Sequence, residues 1–247
     1  MQPVLVDSHG RPVELEIDVR TSWPRRALPA HPWLFPDAAE AGAAGFIGFG
    51  ADFTPATIVA AYRGGIFPWP HPEAEYAWFS PDPRAVIPLD GLRISQRLGR
   101  TLRSGRFRLT VDAAFGRVIR SCAAGRAGGT WITDALIEGY CKLHRLGWAH
   151  SVEAWSEDGR LAGGLYGVAV GAMFGAESMF HRQNDASKAA MAALVQHANT
   201  IGVELFDVQV LTDHTERMGA VEIPRAQYLA ELARVRDIEV RWIPGED

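Results

Sequence analysis

Thirteen of the 15 prolines lie before residue 89, and the remaining two are Pro224 and Pro244. Proline fixes φ and removes a backbone donor, so the first third of the chain can hold only short elements separated by turns. One helix is well punctuated there, with Thr54 as N-cap, Pro55 at the first helical position and Gly64-Gly65 as the stop. The run from Phe67 to Pro72, with prolines at 68, 70 and 72, cannot be helical and reads as a fixed, extended surface loop.

From Arg84 onward the pattern becomes regular. A short basic helix is predicted over Ile94 to Leu102, then one opened by Asp112, then one from the N-cap Thr133 to Leu146 with Gly147 as its stop. Strand signals follow at His150–Trp155, Leu161–Val168 and Ala172–Glu177, the first two joined by a turn at Asp158-Gly159. A helix over Ser187–Ile201 ends at Gly202 and is followed by the apolar strand Leu205–Leu211. Short helices near His214 and over Arg225–Val235 precede a last strand, Ile238–Ile243. This order gives an α+β fold, or α/β with one mixed sheet. The division falls into a small Pro-rich region, residues 1–83, and a larger one, residues 84–247.

With 247 residues, 47% of them hydrophobic and 22% charged, the chain can bury a substantial core. It has no run approaching the roughly 18 to 20 apolar residues that cross a bilayer. The acids and prolines of its first residues do not suit a signal peptide. The expectation is a cytoplasmic protein without membrane contact. Cys122 and Cys141 are too few and too far apart for a disulfide framework or a CxxC site, and both read as buried thiols. No His/Cys group has metal-ligand spacing, so no metal is expected.

Although the net charge is −4, nine arginines and a single acid, Asp112, fall between Arg93 and Arg126. An all-arginine block suits forked contacts to phosphate oxygens, although a solvated basic face has the same pattern. Arg93, Arg97 and Arg100 stand at helical spacing and, with Arg103, could follow one phosphate rail.

Three acids and amides invite chemistry. In Leu205–Leu211, alternation places Asp207 and Gln209 on one face and Phe206, Val208 and Val210 on the other. Such groups in a central strand are either satisfied structurally or line a site. Glu177 ends the apolar run that begins at Met173, and beside Asp207 it would attract a cation. Trp69, Trp78 and Trp131 stand at turns or element edges, where they could pack in the core or stack on an unpaired base. His144 and His150 read as polar-edge or core residues. There is no GxSxG, Walker loop or GxGxxG.

Longer motifs accumulate in order: Ala61-Tyr-Arg-Gly-Gly-Ile-Phe-Pro-Trp69, Phe79-Ser-Pro-Asp-Pro-Arg84, Gly129-Thr-Trp-Ile132 and Ala149-His-Ser-Val-Glu153. Gly163-Gly-Leu-Tyr-Gly167, Glu177-Ser-Met-Phe180, Ala186-Ser-Lys188 and Asp207-Val-Gln209 complete the series. Together they resemble the leucyl/phenylalanyl-tRNA–protein transferase family over most of the chain. The resemblance implies a C-terminal domain similar to acetyl-CoA-dependent N-acetyltransferases. It implies transfer of Leu or Phe, with Met left open, from aminoacyl-tRNA to the α-amine of proteins beginning with Arg or Lys, which marks them for degradation. Leu-tRNA, Phe-tRNA and those acceptor proteins would be its partners, with no cofactor, and the enzyme is expected to be a monomer. Asp207 and Gln209 would lie near the attacking amine and Glu177 in the acceptor site. Trp69 and Trp131 would lie against the terminal adenosine. Leu165, Phe174, Met191, Leu194 and Phe206 would form the donor side-chain pocket, and Arg93, Arg97, Arg100 and Arg103 would meet the tRNA backbone. Departures from the family pattern are Ala176, His181, Asp185 and Gly50-Ala-Asp-Phe53, together with a longer N-terminus. A catalytically silent RNA-binding module and an acetyl-CoA N-acetyltransferase are the competing readings. The second is disfavoured because Ser178–Ser187 has no glycine-rich pyrophosphate loop.

Overall fold

A computed structural model of the protein describes residues 4–20, 24–71, 74–124 and 130–242. In chain order the elements begin with β1 (Leu5–Val6), β2 (Pro12–Val13), β3 (Ile17–Val19), β4 (Phe46–Phe49) and helix α1 (Pro55–Arg63). Next come β5 (Phe67–His71), β6 (Ala74–Phe79), β7 (Arg84–Val86), α2 (Gln96–Arg103), β8 (Arg108–Val111), α3 (Phe115–Ala123) and α4 (Asp134–Arg145). The remainder is β9 (Ala149–Trp155), β10 (Leu161–Val170), β11 (Met173–His181), α5 (Ala186–Ile201), β12 (Leu205–Gln209), α6 (Asp213–Arg217), β13 (Val221–Ile223) and α7 (Arg225–Val235). Arg126 and Gly129 lie outside the described residues.

Eight strands form one mixed sheet in the order β13-β7-β12-β11-β10-β9-β8-β3. Its pairs are antiparallel except β11 with β12 and β3 with β8, which run parallel. Its interior strands β9 and β10 are buried along their whole length, which requires cover on both faces. Two adjacent glycines show how that cover is arranged. A Cβ on Gly163 would strike Ala186 of α5 at 2.7 Å, whereas one on Gly164 would meet Val118 of α3 at 3.3 Å. Neighbouring strand residues point to opposite faces, so α5 lies on one face and α3 on the other. The alanines at 186, 189, 190, 192 and 193 of α5 are all fully buried, letting that helix press close against the strands.

The Pro-rich region contributes a separate three-stranded sheet, β4-β6-β5. Phe67–His71 is strand β5 of this sheet rather than a surface loop, and Phe67 is buried. Its prolines are tolerated because β5 is an edge strand, where a missing N–H breaks no ladder. Trp78 on β6 is a core residue, packed on Phe35 and Phe53, with its indole N–H donating to Gly50 O at 2.7 Å. Buried Arg225 ties α7 to the loops beside β4 and β6 by donating to the carbonyls of Ala41, Gly42 and Ser80.

Helix α1 starts and stops where its Thr54, Pro55 and Gly64 signals place it, and α4, α5 and α7 match their predicted spans closely. Asp112 does not open a helix. It sits at φ +59 and accepts from Ser151 N at 2.8 Å and contacts His150 Nδ1 at 2.7 Å. The amides just ahead of α3, at Ala113 and Ala114, are met instead by the buried Glu153 carboxylate from β9. Helix α2 begins at Gln96 with Ser95 as its cap, so Arg93 precedes the helix and only Arg97, Arg100 and Arg103 ride on it. Residues 238–242 form no strand. This segment instead packs through its side chains, burying Val240 and setting Trp242 between His150, Phe174 and His197.

Alanine at a strand glycine ordinarily costs nothing or helps slightly. At Gly163 it would overpack against the backbone of Ala186 and Ser187, both 2.9 Å from the new Cβ. Gly163→Ala is therefore expected to lower stability by about 1–3 kcal/mol in urea unfolding. A stability gain would show that α5 yields freely at its first turn.

Candidate active site

The parallel strands β11 and β12 pair at Met173 with Leu205, Phe174 with Phe206 and Gly175 with Asp207, and go no further. Beyond that point β11 continues beside β10, while β12 shifts register against β7 between Asp207 and Gln209. Gln209 takes a left-handed backbone conformation, φ +66, that ends the strand. The diverging strands open a cavity of about 410 Å³ lined by Glu177, Gln209, Leu165, Met179, Trp69 and Trp131 among others.

Asp207 is 0% exposed and Arg84 is 1% exposed. The guanidinium grips the carboxylate twice, Nε to Oδ1 at 2.9 Å and Nη2 to Oδ2 at 2.6 Å. Tyr228 Oη also donates to Oδ2 at 2.9 Å, and Gln209 N donates to Oδ1 at 2.8 Å. The guanidinium lies between the rings of Phe67 and Tyr228, 4.7 and 4.3 Å from their centroids, and donates to Gly65 O at 3.0 Å. Burial works against its charge, but the Asp207 carboxylate outweighs that and holds the guanidinium pKa above its ordinary value. Asp207 is thus fully engaged beneath the cavity and does not line it.

Gln209 does face the cavity, and its Nε2 donates to Glu177 Oε1 at 2.9 Å. Strict alternation fails at this strand end because of the register shift and the positive φ, so Val208, Gln209 and Val210 all line the opening. Glu177 also accepts from Tyr62 Oη of α1 and, at 3.1 Å, from Tyr140 Oη of α4. The two phenols lie 3.1 Å apart. Burial raises the Glu177 pKa to about 7, reinforced by the Asp207 charge and opposed by the tyrosine and glutamine donors. Burial and the same carboxylate push both phenols well above their usual value. The result is a carboxyl group poised to exchange a proton near neutrality at the edge of a half-apolar cavity.

The indoles of Trp69 and Trp131 face each other across the lip, with centroids 6.2 Å apart and planes 20° from parallel. Trp69 is 37% exposed, so a flat ring system has a surface on which to stack. Of the residues assigned to the donor pocket, Leu165 lines the cavity, while Phe174, Met191, Leu194 and Phe206 are sealed in the core. Arg93, Arg97, Arg100 and Arg103 are all exposed. Arg97 pairs with Asp185 at 3.1 Å and Arg103 with Asp7 at 2.8 Å, whereas Arg93 and Arg100 have no acid within 4 Å among the described residues. His144 stacks on Phe115 and His150 on Trp242, and neither lines the cavity. Cys122 is buried and Cys141 half-buried. Among the described residues no group of His, Cys, Asp and Glu is arranged for a metal, and no helix is long and apolar enough to cross a membrane.

Sequence reasoning missed Arg84, Tyr228, Tyr62 and Tyr140. Arg84 and Tyr62 stand inside motifs noted above, but nothing local says that a residue more than a hundred positions away will meet them.

The chain belongs to the leucyl/phenylalanyl-tRNA protein transferase family, whose model matches residues 86–233 and whose N-terminal domain model matches residues 51–82. A leucyl/phenylalanyl-tRNA–protein transferase of Anaeromyxobacter sp. (strain K) is 49% identical over 224 residues, 88% of this chain and 95% of that protein. Another of that name, from Nitratidesulfovibrio vulgaris (strain DP4), is 48% identical over 82% of this chain and 88% of its own length. One from Shigella sonnei (strain Ss046) is 47% identical over 78% and 82%. The solved structure of L-PGS from Bacillus licheniformis covers 64% of this chain and 66% of its own, at a TM-score of 0.40 and 13% identity, too loose a likeness to carry an argument.

Two outcomes follow. Asp207→Ala strands a buried guanidinium and is expected to cost about 3–5 kcal/mol in urea unfolding, so a change below about 1 kcal/mol would mean that water reaches the pair. Glu177, with its folded pKa raised from 4.5 to about 7, contributes stability in full below the lower value and loses it as pH rises through the upper one. Wild-type stability should therefore fall relative to Glu177→Gln between pH 5 and 7.5, and parallel curves would disprove the shift.

Proposed function

We propose that this protein moves Leu or Phe, and by extension Met, from the 3′ end of an aminoacyl-tRNA onto the α-amine of proteins that begin with Arg or Lys. The new N-terminal residue would mark those proteins for degradation. The observation that carries this reading is the pairing of Glu177 with Gln209 in the cleft between two diverging strands, under a lip of two tryptophans. Family membership and the names of the relatives support the reaction class.

The chemistry asks little of the protein beyond placement. The amine nitrogen attacks the ester carbonyl carbon, the bond from that carbon to the ribose oxygen breaks, and the released ribose oxygen takes the proton that the amine sheds and becomes a hydroxyl. An α-amine has a pKa of about 7.7–8.0, so a useful fraction is already nucleophilic at neutral pH. Holding amine and ester in contact supplies roughly 7–11 kcal/mol through effective molarity. The terminal adenosine stacks on Trp69 and Trp131, which puts the ester over the cavity. The donor side chain enters beside Leu165, and reaching Phe174, Met191, Leu194 and Phe206 requires the core wall to part.

Glu177 sits where the acceptor arrives. A cationic Arg or Lys side chain favours its ionised form and is selected by it, and Gln209 orients the amine from the same wall. Asp207 acts through Gln209, fixing its main-chain turn from below. The enzyme is read as a cytoplasmic monomer that needs no cofactor, with a Pro-rich domain over residues 1–83 and a catalytic domain over 84–247. Arg97, Arg100 and Arg103 of α2, with Arg93 just before it, grip the tRNA backbone with a salt-dependent, sequence-tolerant affinity.

Mass spectrometry of purified protein tests this, with Leu-, Phe- or Met-charged tRNA and peptides beginning with Arg, Lys, Asp or Glu. One added Leu or Phe on the Arg and Lys peptides alone is the expected result. A gain confined to Asp or Glu peptides would remove Glu177 as the acceptor's selector. No gain anywhere, with charged tRNA bound, would replace the enzyme by an RNA-binding module.

A further inference from the structure

A second cavity, about 430 Å³, shares a wall with the first. Ser187 lines the catalytic cavity and its neighbour Lys188 lines the second. Likewise Thr212, His214 and Thr215 face the first, while Arg217 and Met218 face the second. The first turn of α5 and the short helix α6 therefore form a ridge between the two. The far side of the second cavity is built by Arg93, Ser95 and Leu98, at the start of the arginine-bearing helix α2.

Three cations, Arg93, Lys188 and Arg217, converge on this cavity. Its one acid, Asp7, is already neutralised from behind by Arg103 at 2.8 Å and Arg11 at 3.1 Å, and it also accepts from the amides of His9 and Arg11. Among the described residues neither Arg93 nor Lys188 has an acid within 4 Å, and the one ion-pair partner of Arg217, Asp213, lies 3.6 Å away with both groups largely exposed. Lys188 also occupies the first turn of α5, where the helix dipole opposes a cation by about 0.3–1 kcal/mol. On the other side of the ridge, burial and then Lys188, His181 and Arg217 together lower the pKa of His214. Like charges are thus crowded around a wall between two cavities, with only the exposed Asp213 pairing one of the three cations, as expected of a site completed by an anion.

The setting selects the kind of anion. The cavity lies between the tryptophan-lipped cleft and the exposed arginines of α2, so a strand leaving the cleft toward α2 passes over it. We infer that Lys188, with Arg93 and Arg217, binds a phosphodiester of the single-stranded 3′ end of the aminoacyl-tRNA, upstream of the terminal adenosine. The inference rests on the proposed function. It divides donor recognition into base stacking at Trp69 and Trp131, one or more backbone phosphates at the ridge, and a broader grip by α2.

The test compares two donors, Phe-tRNA and 3′-O-phenylalanyl-adenosine, which has no phosphate upstream of its base. Lys188→Met is expected to raise KM for Phe-tRNA about tenfold with kcat within about twofold, and to reduce the salt slope of tRNA binding by about 1. Its loss in kcat/KM should be several-fold larger on the tRNA than on the adenosine ester, and Lys188→Arg should recover most of it. Equal losses on both donors, or an unchanged KM and salt slope, would overturn the phosphate site. Wild-type protein that transfers from neither donor would instead sink the proposed function, and the salt slope of tRNA binding by Lys188→Met would still decide the phosphate site.

Discussion

The buried pair of Arg84 and Asp207 is the interaction on which the rest of the structure depends. Its two partners come from adjacent strands of the large sheet, its hydroxyl donor comes from α7, and its aromatic cover comes partly from the Pro-rich region through Phe67. A charge pair taken so far from water stabilises little by itself, because desolvation offsets most of the attraction. What it provides is a fixed geometry. With every carboxylate lone-pair direction engaged, the chain after Asp207 has one way to turn, and that turn aims Gln209 at Glu177.

Above this base the polar groups form a relay rather than a set of independent residues. Glu177 is reached by phenols from α1 and α4 and by an amide from β12, so three elements set the proton affinity of one carboxyl group. The apolar features serve the same end. The fully buried strands β9 and β10 and the alanine-rich face of α5 form a closely packed layer behind the cleft wall that Leu165 contributes. An electrostatic effect is stronger in such surroundings than it would be in water.

Much of this was legible in the sequence, for reasons that can be named. Helices α1, α4, α5 and α7 carry local signals at their ends, and local signals need only local physics. Glu177 and Gln209 stood out as polar groups in apolar runs, and they do face one cavity. Asp207 stood out in the same way but lies beneath the cavity, because alternation predicts which face a residue takes only while a strand keeps its register. Phe67–His71 was misread as a loop because its prolines exclude interior strands but not edge strands. The segment after Ile238 has the alternation of a strand, but that alternation serves to seat Val240 and Trp242 in the core. Tyr62, Tyr140, Arg84 and Tyr228 were invisible as a group because their meeting is a property of topology.

That topology has a consequence for how the molecule comes into being. Tyr62 and Glu177 are 115 residues apart, Arg84 and Asp207 are 123 apart, and Tyr228 closes the arrangement close to the end of the chain. Contacts of such long range form late, after the entropy of closing large loops has been overcome. Gln209 is aimed at Glu177 only once segments from Tyr62 to Tyr228 have come together, so the cleft is among the last parts of the fold to be completed.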